Sequence, residues 1–111
     1  MQVIRTNGLP GSDLARDFIG RDHGGIGFTF IVLDAAPGEG PKLHRHAYPE
    51  VLIVLEGEMT ATVDGETGRV EAGSIVIVPA RAAHKFVNSG TGRLRQVDIH
   101  ASDHFITEWL E

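Results

Sequence analysis

Residues 38–57 read GEGPKLHRHAYPEVLIVLEG and place two histidines and a glutamate, His44, His46 and Glu50, within seven residues. Side chains alternate between the two faces of an extended strand, so His44 and His46 point the same way while Arg45 points the opposite way. Pro49 interrupts regular strand pairing, and a bend there returns Glu50 toward the two imidazoles. This stretch therefore predicts a metal site.

A second stretch, residues 73–88, reads GSIVIVPARAAHKFVN and supplies a further candidate ligand, His84, after an apolar run and a proline. Imidazole and carboxylate ligands together suit Zn, Fe, Ni, Cu or Mn. The chain has no cysteine, which excludes thiolate ligands. We expect one divalent transition metal ion from this set, and the residues do not decide which.

The spacing of both stretches resembles a known family. The first reads G-x5-H-x-H-x3-E-x6-G and the second G-x5-P-x-R-x2-H-x3-N, which together resemble the two sequence motifs of the cupin superfamily. One position departs, because Arg81 stands where the family commonly has glycine, and we expect this change to alter the turn before His84 without removing a ligand. The resemblance implies that one divalent metal ion is bound inside a barrel by His44, His46, Glu50 and His84.

The fold that this resemblance implies is a small antiparallel β-barrel of the double-stranded β-helix or jelly-roll type, and cupins of this size are commonly homodimers. The strand pattern agrees, because several short apolar runs are separated by turn residues, as in all-β sandwiches and barrels. Asp64-Gly65 predicts a hairpin between two of these runs. The continuously apolar run Val51 to Leu55 predicts a strand buried on both faces.

Two segments favour helices. Ser102 is a candidate cap for a short C-terminal helix, because apolar residues recur after it at helical spacing. These residues are Phe105, Ile106, Trp109 and Leu110. Ser12 is a candidate cap for a brief helical turn in which Leu14 and Phe18 lie four residues apart.

The last long strand has two possible orientations. Asp98 and His100 share one of its faces, opposite Val97 and Ile99, so either polar residue could serve as an acid or base if that face looks inward. The apolar pair has the stronger expectation of lying in the core. We therefore expect His100 to be a solvated surface residue, as we do His23 and His104.

Size and charge limit the function classes. A chain of 111 residues and 12.0 kDa predicts one domain spanning residues 1–111. The net charge of -5, without a Lys/Arg cluster among aromatics, argues against nucleic acid as a partner. No apolar run approaches the length of a membrane span, and without cysteines or an export signal we expect a cytoplasmic protein.

A site of three neutral imidazoles and one carboxylate leaves a divalent ion with a net positive charge. Such a site favours a small anionic organic substrate, and three functional hypotheses follow. An octahedral ion keeps two open positions, enough for a bidentate substrate or for a substrate and dioxygen, and the cupin resemblance implies dioxygenase chemistry on a small-molecule substrate. The alternatives are non-redox isomerisation or decarboxylation, and a non-catalytic barrel that binds a small ligand or metal. A tetrahedral zinc would instead be filled by the four ligands. We expect the basic residues next to the ligands to form a solvated rim: Lys42, Arg45, Arg81 and Lys85.

Overall fold

The structure is a computed structural model that describes all residues, 1–111. It is all-β, with two five-stranded antiparallel sheets, and its only helical segments are two short 3-10 turns, Thr6–Gly8 and Gly20–Asp22. No helix has the length and apolarity that a membrane crossing requires. The strands are β1 (Ala15–Phe18), β2 (Thr29–Ala35), β3 (His44–Arg45), β4 (Glu50–Glu56), β5 (Glu58–Val63), β6 (Glu66–Glu71), β7 (Ile75–Val78), β8 (His84–Asn88), β9 (Leu94–His100) and β10 (Glu108–Trp109).

The first sheet has the strand order β1-β2-β9-β4-β7, and the second has the order β10-β3-β8-β5-β6. Most strands that are neighbours in a sheet are distant in the chain, so each sheet is assembled from both halves of the sequence. The inner faces of the two sheets enclose a shared apolar core. Its buried members are Leu33, Ala35, Leu52, Val54, Met59, Ala61, Val78, Ala82, Phe86 and Leu94.

The apolar run Val51 to Leu55 within β4 alternates in burial and is not buried on both faces. Leu52 and Val54 are 2% and 1% exposed, whereas Leu55 is 62% exposed. The expectation of a strand buried on both sides is therefore wrong. The residues of this run that alternate with Leu52 and Val54 belong to an apolar outer face of the first sheet.

Three turn residues, Asp64, Gly65 and Gly57, have the positive φ angles that tight turns require. Asp64 and Gly65, with φ of 49° and 80°, form a two-residue loop between β5 and β6, the conformation that Asp-Gly favours in tight hairpins. Gly57, which ends the first motif, has a φ of 81°, and a Cβ at this position would lie 2.3 Å from the carbonyl oxygen of Arg93. Only glycine fits there.

Arg81 also lies in the left-handed region, with a φ of 68°. Glycine is the residue that adopts this conformation without strain, which gives a physical reason for glycine at this motif position. The backbone N–H of Arg81 donates to the carbonyl of His46 at 2.7 Å and ties the turn before His84 to the first motif. With arginine at this position, the turn still brings His84 to the other three predicted ligands.

Asn88, the last residue of the second motif, is 2% exposed and fastens the turn after β8. Its side-chain amide donates to the carbonyls of Ala35 and Gly92 at 3.0 and 2.9 Å, and its side-chain oxygen accepts from the N–H of Gly90 at 3.0 Å. All of these backbone groups would lose a partner in an apolar substitution, so asparagine suits this buried position.

The structure has no C-terminal helix, so that prediction is wrong. Glu108 and Trp109 form β10, which pairs with β3, and the N–H of Leu110 donates to the carbonyl of Leu43 at 2.9 Å. Strand pairing satisfies the backbone that a helix would have satisfied internally. The brief helical turn expected after Ser12 is also absent, because residues 15–18 pair with β2 instead.

Candidate metal centre

Four buried side chains from three segments of the chain converge between the sheets. His44 on β3 pairs directly with His84 on β8, His46 follows β3, and Glu50 begins β4. One potential ligand atom from each of these residues lies within 4.8 Å of all the others. The four are between 2% and 7% exposed, so the structure brings all the sequence-predicted ligands together in a site shielded from bulk water.

Hydrogen bonds fix the three imidazole rings. The Nδ1 atoms of His44, His46 and His84 lie 2.7, 2.9 and 2.8 Å from backbone carbonyl oxygens. A carbonyl only accepts, so each Nδ1 carries the hydrogen and donates it. Each Nε2 is therefore left with its lone pair, which is the state in which a histidine binds a metal.

The carboxylate and the rings fit a divalent cation between them. Oε1 of Glu50 lies 3.1 Å from Nε2 of His84 and 3.2 Å from Nε2 of His46. The buried Nε2 of His46 makes no hydrogen bond. Lone pairs this close repel one another unless a proton or a cation lies between them, and a divalent ion such as Mn(II) satisfies all of the donors at once.

Ionisation of the site favours a cation. Burial raises the pKa of Glu50, but the neighbouring imidazoles of His46, His84 and His100 outweigh it and lower that pKa to about 2. Burial lowers the pKa of His44. The pKa of His84 is raised, because its hydrogen bonds to Glu50 and to the Ala82 carbonyl outweigh the effect of burial. The carboxylate is thus fully charged at neutral pH.

His100 supports the site from β9, where the sequence led us to expect a surface residue. It is 3% exposed, and its Nε2 lies 3.5 Å from Oε2 of Glu50. Burial lowers the pKa of His100 to about 4, and burial raises the pKa of Tyr48 to about 12, so at neutral pH the ring is neutral and the phenol keeps its proton. The Tyr48 hydroxyl and Nδ1 of His100 lie 2.7 Å apart and share a hydrogen bond, which holds the ring with its Nε2 toward Glu50.

Asp98 also faces inward, so the expectation that Val97 and Ile99 fill the core is wrong. Asp98 is 3% exposed, whereas Val97 and Ile99 are only partly buried on the opposite face. Gln96 donates its amide to Oδ1 of Asp98 at 2.7 Å. Burial, together with the negative charge of Glu50, raises the pKa of Asp98 well above its ordinary value, which favours the protonated carboxyl.

A cavity of about 380 Å³ adjoins the convergent ligands. His44, His46 and Glu50 form part of its wall, and Asp98 and His100 add further polar groups. Its remaining walls are largely apolar. They include Leu14, Ala15, Ile31, Leu33, Pro41, Phe86, Phe105 and Trp109.

The basic residues near the ligands in sequence lie outside this cavity. Arg45 forms an ion pair with Glu108 at 2.7 Å, and Lys85 lies 3.5 Å from Glu111. Lys42 and Arg81 are exposed. They form a solvated rim, as the sequence predicted, and none of the four lines the cavity.

Curated relatives match parts of the chain. It is 31% identical over 80 residues to the polyketide synthase CurC of Streptomyces cyaneus, which covers 71% of this chain and 49% of that protein. It is 33% identical over 61 residues to the dimethylsulfoniopropionate lyase DddW of Ruegeria pomeroyi, which covers 55% of this chain and 40% of that protein. The chain spans about half or less of the length of the curated relatives it matches.

Similarity to solved structures concerns the fold. A single-residue variant of oxalate decarboxylase from Bacillus subtilis superimposes with a TM-score of 0.77 at 23% identity, covering 86% of this chain and 27% of that one. The family model for the cupin domain matches residues 31–100, which contain both motifs and all four convergent side chains. The chain belongs to the cupin family.

Proposed function

We propose that His44, His46, Glu50 and His84 bind one divalent metal ion, and that the chain is a metal-dependent enzyme acting on a small anionic organic substrate. The observation that carries this proposal is the meeting of four buried ligand groups at the wall of a cavity of about 380 Å³. A purely structural ion would need no such cavity beside it.

The proposed ion is a transition metal that accepts nitrogen and oxygen ligands, from the set Fe, Mn, Ni, Zn and Cu. The Bacillus subtilis oxalate decarboxylase with a similar fold has Mn(II) centres, which makes manganese a candidate here. When bound, such an ion supplies Lewis acidity and, if it is redox-active, electron transfer to dioxygen. With four protein ligands, an octahedral ion keeps two positions for substrate atoms.

Dioxygenase chemistry is the first candidate reaction. It requires a site that admits a small organic anion beside dioxygen and keeps bulk water away. Phe86 and Trp109 contribute apolar wall to the cavity, and the ligands themselves are at most 7% exposed. The histidine rings are held by backbone carbonyls, so their orientation does not depend on the substrate.

Non-redox chemistry, an isomerisation or decarboxylation, is the second candidate, and the inward orientation of β9 favours it. Asp98 lines the cavity with a carboxyl whose pKa is raised by burial, and His100 is a neutral imidazole beside Glu50. An enzyme that moves a proton to or from a carbon atom needs such groups near the substrate. In this reading Asp98 is the proton donor, and Gln96 holds it in place.

Oxygen dependence separates these candidates. Fe(II)-loaded and Mn(II)-loaded protein would be supplied with acetylacetone, catechol and a series of 2-oxo acids, with and without dioxygen. A dioxygenase consumes oxygen in step with substrate. A proton-transfer enzyme turns substrate over without oxygen, and Asp98→Asn lowers its kcat by about 100-fold or more. If no substrate is consumed with either ion, the enzymatic proposal fails and a non-catalytic binding barrel remains.

We also propose a homodimer formed through the outer face of the first sheet. One row of outward side chains crosses all five strands: Phe18, Phe30, Ile99, Val51 and Ile77. The next row contains Val32, Val97, Ile53 and Ile75, and Ile75 and Ile77 are 62% and 71% exposed. The outer face of the second sheet is polar by contrast, with Thr60 and Thr62 on β5. An apolar face of this extent is typical of a two-fold interface with a second copy.

Replacing Ile77 with Lys should convert the dimer to a monomer, because the interface would bury an unpaired charge. Sedimentation equilibrium should give twice the 12.0 kDa chain mass for the natural sequence and 12.0 kDa for Ile77→Lys. Thr67→Lys, at an exposed position of β6 in the second sheet, is the matched control and should stay dimeric. A natural-sequence protein that sediments as a monomer would contradict the proposal.

A further inference from the structure

The cavity has an uneven distribution of charge. Its lining contains the carboxyl groups of Asp17, Glu50 and Asp98 but no lysine and no arginine. Asp17, on the edge strand β1, is partly buried, and burial raises its pKa. The ammonium and guanidinium groups of the solvated rim all lie outside the cavity.

Charge balance then limits what can enter. A divalent ion beside the Glu50 carboxylate leaves one net positive charge at the metal end of the cavity. One anionic group of a bound molecule neutralises it. A second carboxylate in the cavity would have no lysine or arginine to pair with and would face the carboxyl groups of Asp17 and Asp98, and an unpaired charge among largely apolar walls is disfavoured.

The walls away from the metal ligands favour an apolar body. Leu14 and Ala15 near the start of β1, Ile31 and Leu33 on β2, and the ring of Phe86 on β8 surround this part of the cavity. Asp98, two residues from His100 on the same face of β9, lies one row further inside than Glu50 and pairs across the sheet with Ile31 and Leu52. The Asp98 carboxyl is thus the polar group near the metal end of the cavity, and the walls further from the metal ligands are apolar side chains.

We infer that the cavity accepts a molecule with a single anionic, metal-chelating head and an apolar body, and that it discriminates against molecules that carry a second carboxylate. This inference rests on the proposed function, since the head must bind the proposed ion. It narrows the substrate from small organic anions in general to monoanions with a hydrocarbon tail.

Two 2-oxo acids of equal size provide a direct test. 2-Oxo-5-methylhexanoate and 2-oxoglutarate share the chelating head, and their tails differ only in that a branched alkyl group replaces a carboxylate. Calorimetric titration of Ni(II)-loaded protein should give a Kd for 2-oxo-5-methylhexanoate that is lower by about tenfold or more. Asp17→Asn should reduce this ratio by strengthening the binding of 2-oxoglutarate alone. Asp22→Asn, an exposed aspartate outside the cavity, should leave the ratio unchanged.

The metal content of each sample, measured before titration, distinguishes a failure of the proposed metal site from a failure of the inference about the substrate. Protein that binds no metal would contradict the proposed function itself. Protein that is fully loaded but binds both acids equally, prefers 2-oxoglutarate, or binds neither acid would overturn the inference while leaving the metal site intact.

Discussion

The His46→Ala variant is expected to lose stoichiometric metal while keeping the fold of the natural sequence. The substitution removes one of three imidazole donors and leaves an incomplete ligand set, so metal affinity should fall by about 100-fold or more, beyond what loss of a supporting hydrogen bond costs. His46 lies between β3 and β4, outside the regular strands, and its ring is not part of the apolar core. Elemental analysis after dialysis against a weak chelator would measure the loss, and circular dichroism would report the fold.

His104→Ala is the matched control for this experiment. His104 is partly exposed, lies on the C-terminal segment next to Asp103, and is not among the convergent groups. This variant should retain one ion per chain. If His46→Ala also retained one ion per chain at the same affinity, the ligand assignment would be wrong.

Metal affinity is expected to fall steeply as the pH is lowered from 7.5 to 5.5. An imidazole must be unprotonated to bind a metal, so protons compete with the ion. A histidine of ordinary pKa, near 6.5, weakens binding about tenfold over this interval, and a site with three histidines should lose about 100- to 1000-fold. Glu50, with a pKa of about 2, stays ionised throughout and adds nothing to the loss.

The two shifted histidines should spread this loss over a wide pH interval. Because the pKa of His84 is raised, its share begins above the ordinary histidine range as the pH falls. The pKa of His44 is lowered, so its share begins at more acidic pH. Titration with Mn(II) at several pH values, followed by electron paramagnetic resonance of the free ion, would measure the curve. Affinity that stays flat between pH 7.5 and 5.5 would exclude histidine ligands.

The motifs predicted the fold and the convergent site because their constraints are local. His44 and His46 share a strand face, Gly57 has a positive φ and no room for a Cβ, and Asp64-Gly65 forms the expected two-residue loop. Each of these properties depends on a few neighbouring residues. The cupin resemblance then implied that His84 joins the other three ligands, and in the structure it pairs with His44 across β3 and β8.

The orientation of β9 was not predictable from its alternation, because both sides of the first sheet can accept apolar side chains. Val97 and Ile99 belong to an apolar outer face, whereas Asp98 and His100 point inward and line the cavity beside the metal ligands. The alternation of apolar and polar residues identifies the inner face of a strand only when the outer face is exposed to water. We propose that a second copy of the chain covers the outer face of this sheet. Apolar side chains are then expected on both faces, and alternation cannot show which face is the inner one.

The C-terminal segment was mispredicted because its apolar spacing fits a helix equally well. Phe105 instead packs edge-on against His100, with ring centroids 4.9 Å apart, and Trp109 pairs with His44 in the second sheet. The carbonyl of Ile106 accepts a hydrogen bond from His46. These are long-range contacts with the metal end of the barrel, and no pattern within the last ten residues contains them.

Anomalous diffraction from crystals of metal-loaded protein tests the central claim most directly. Data collected at the absorption edge of the bound ion should show one strong peak per chain. That peak should lie about 2.0–2.3 Å from Nε2 of His44, His46 and His84 and from a carboxylate oxygen of Glu50. A peak elsewhere on the chain, or a His84 ring turned away from an ion held by the other three, would contradict the account.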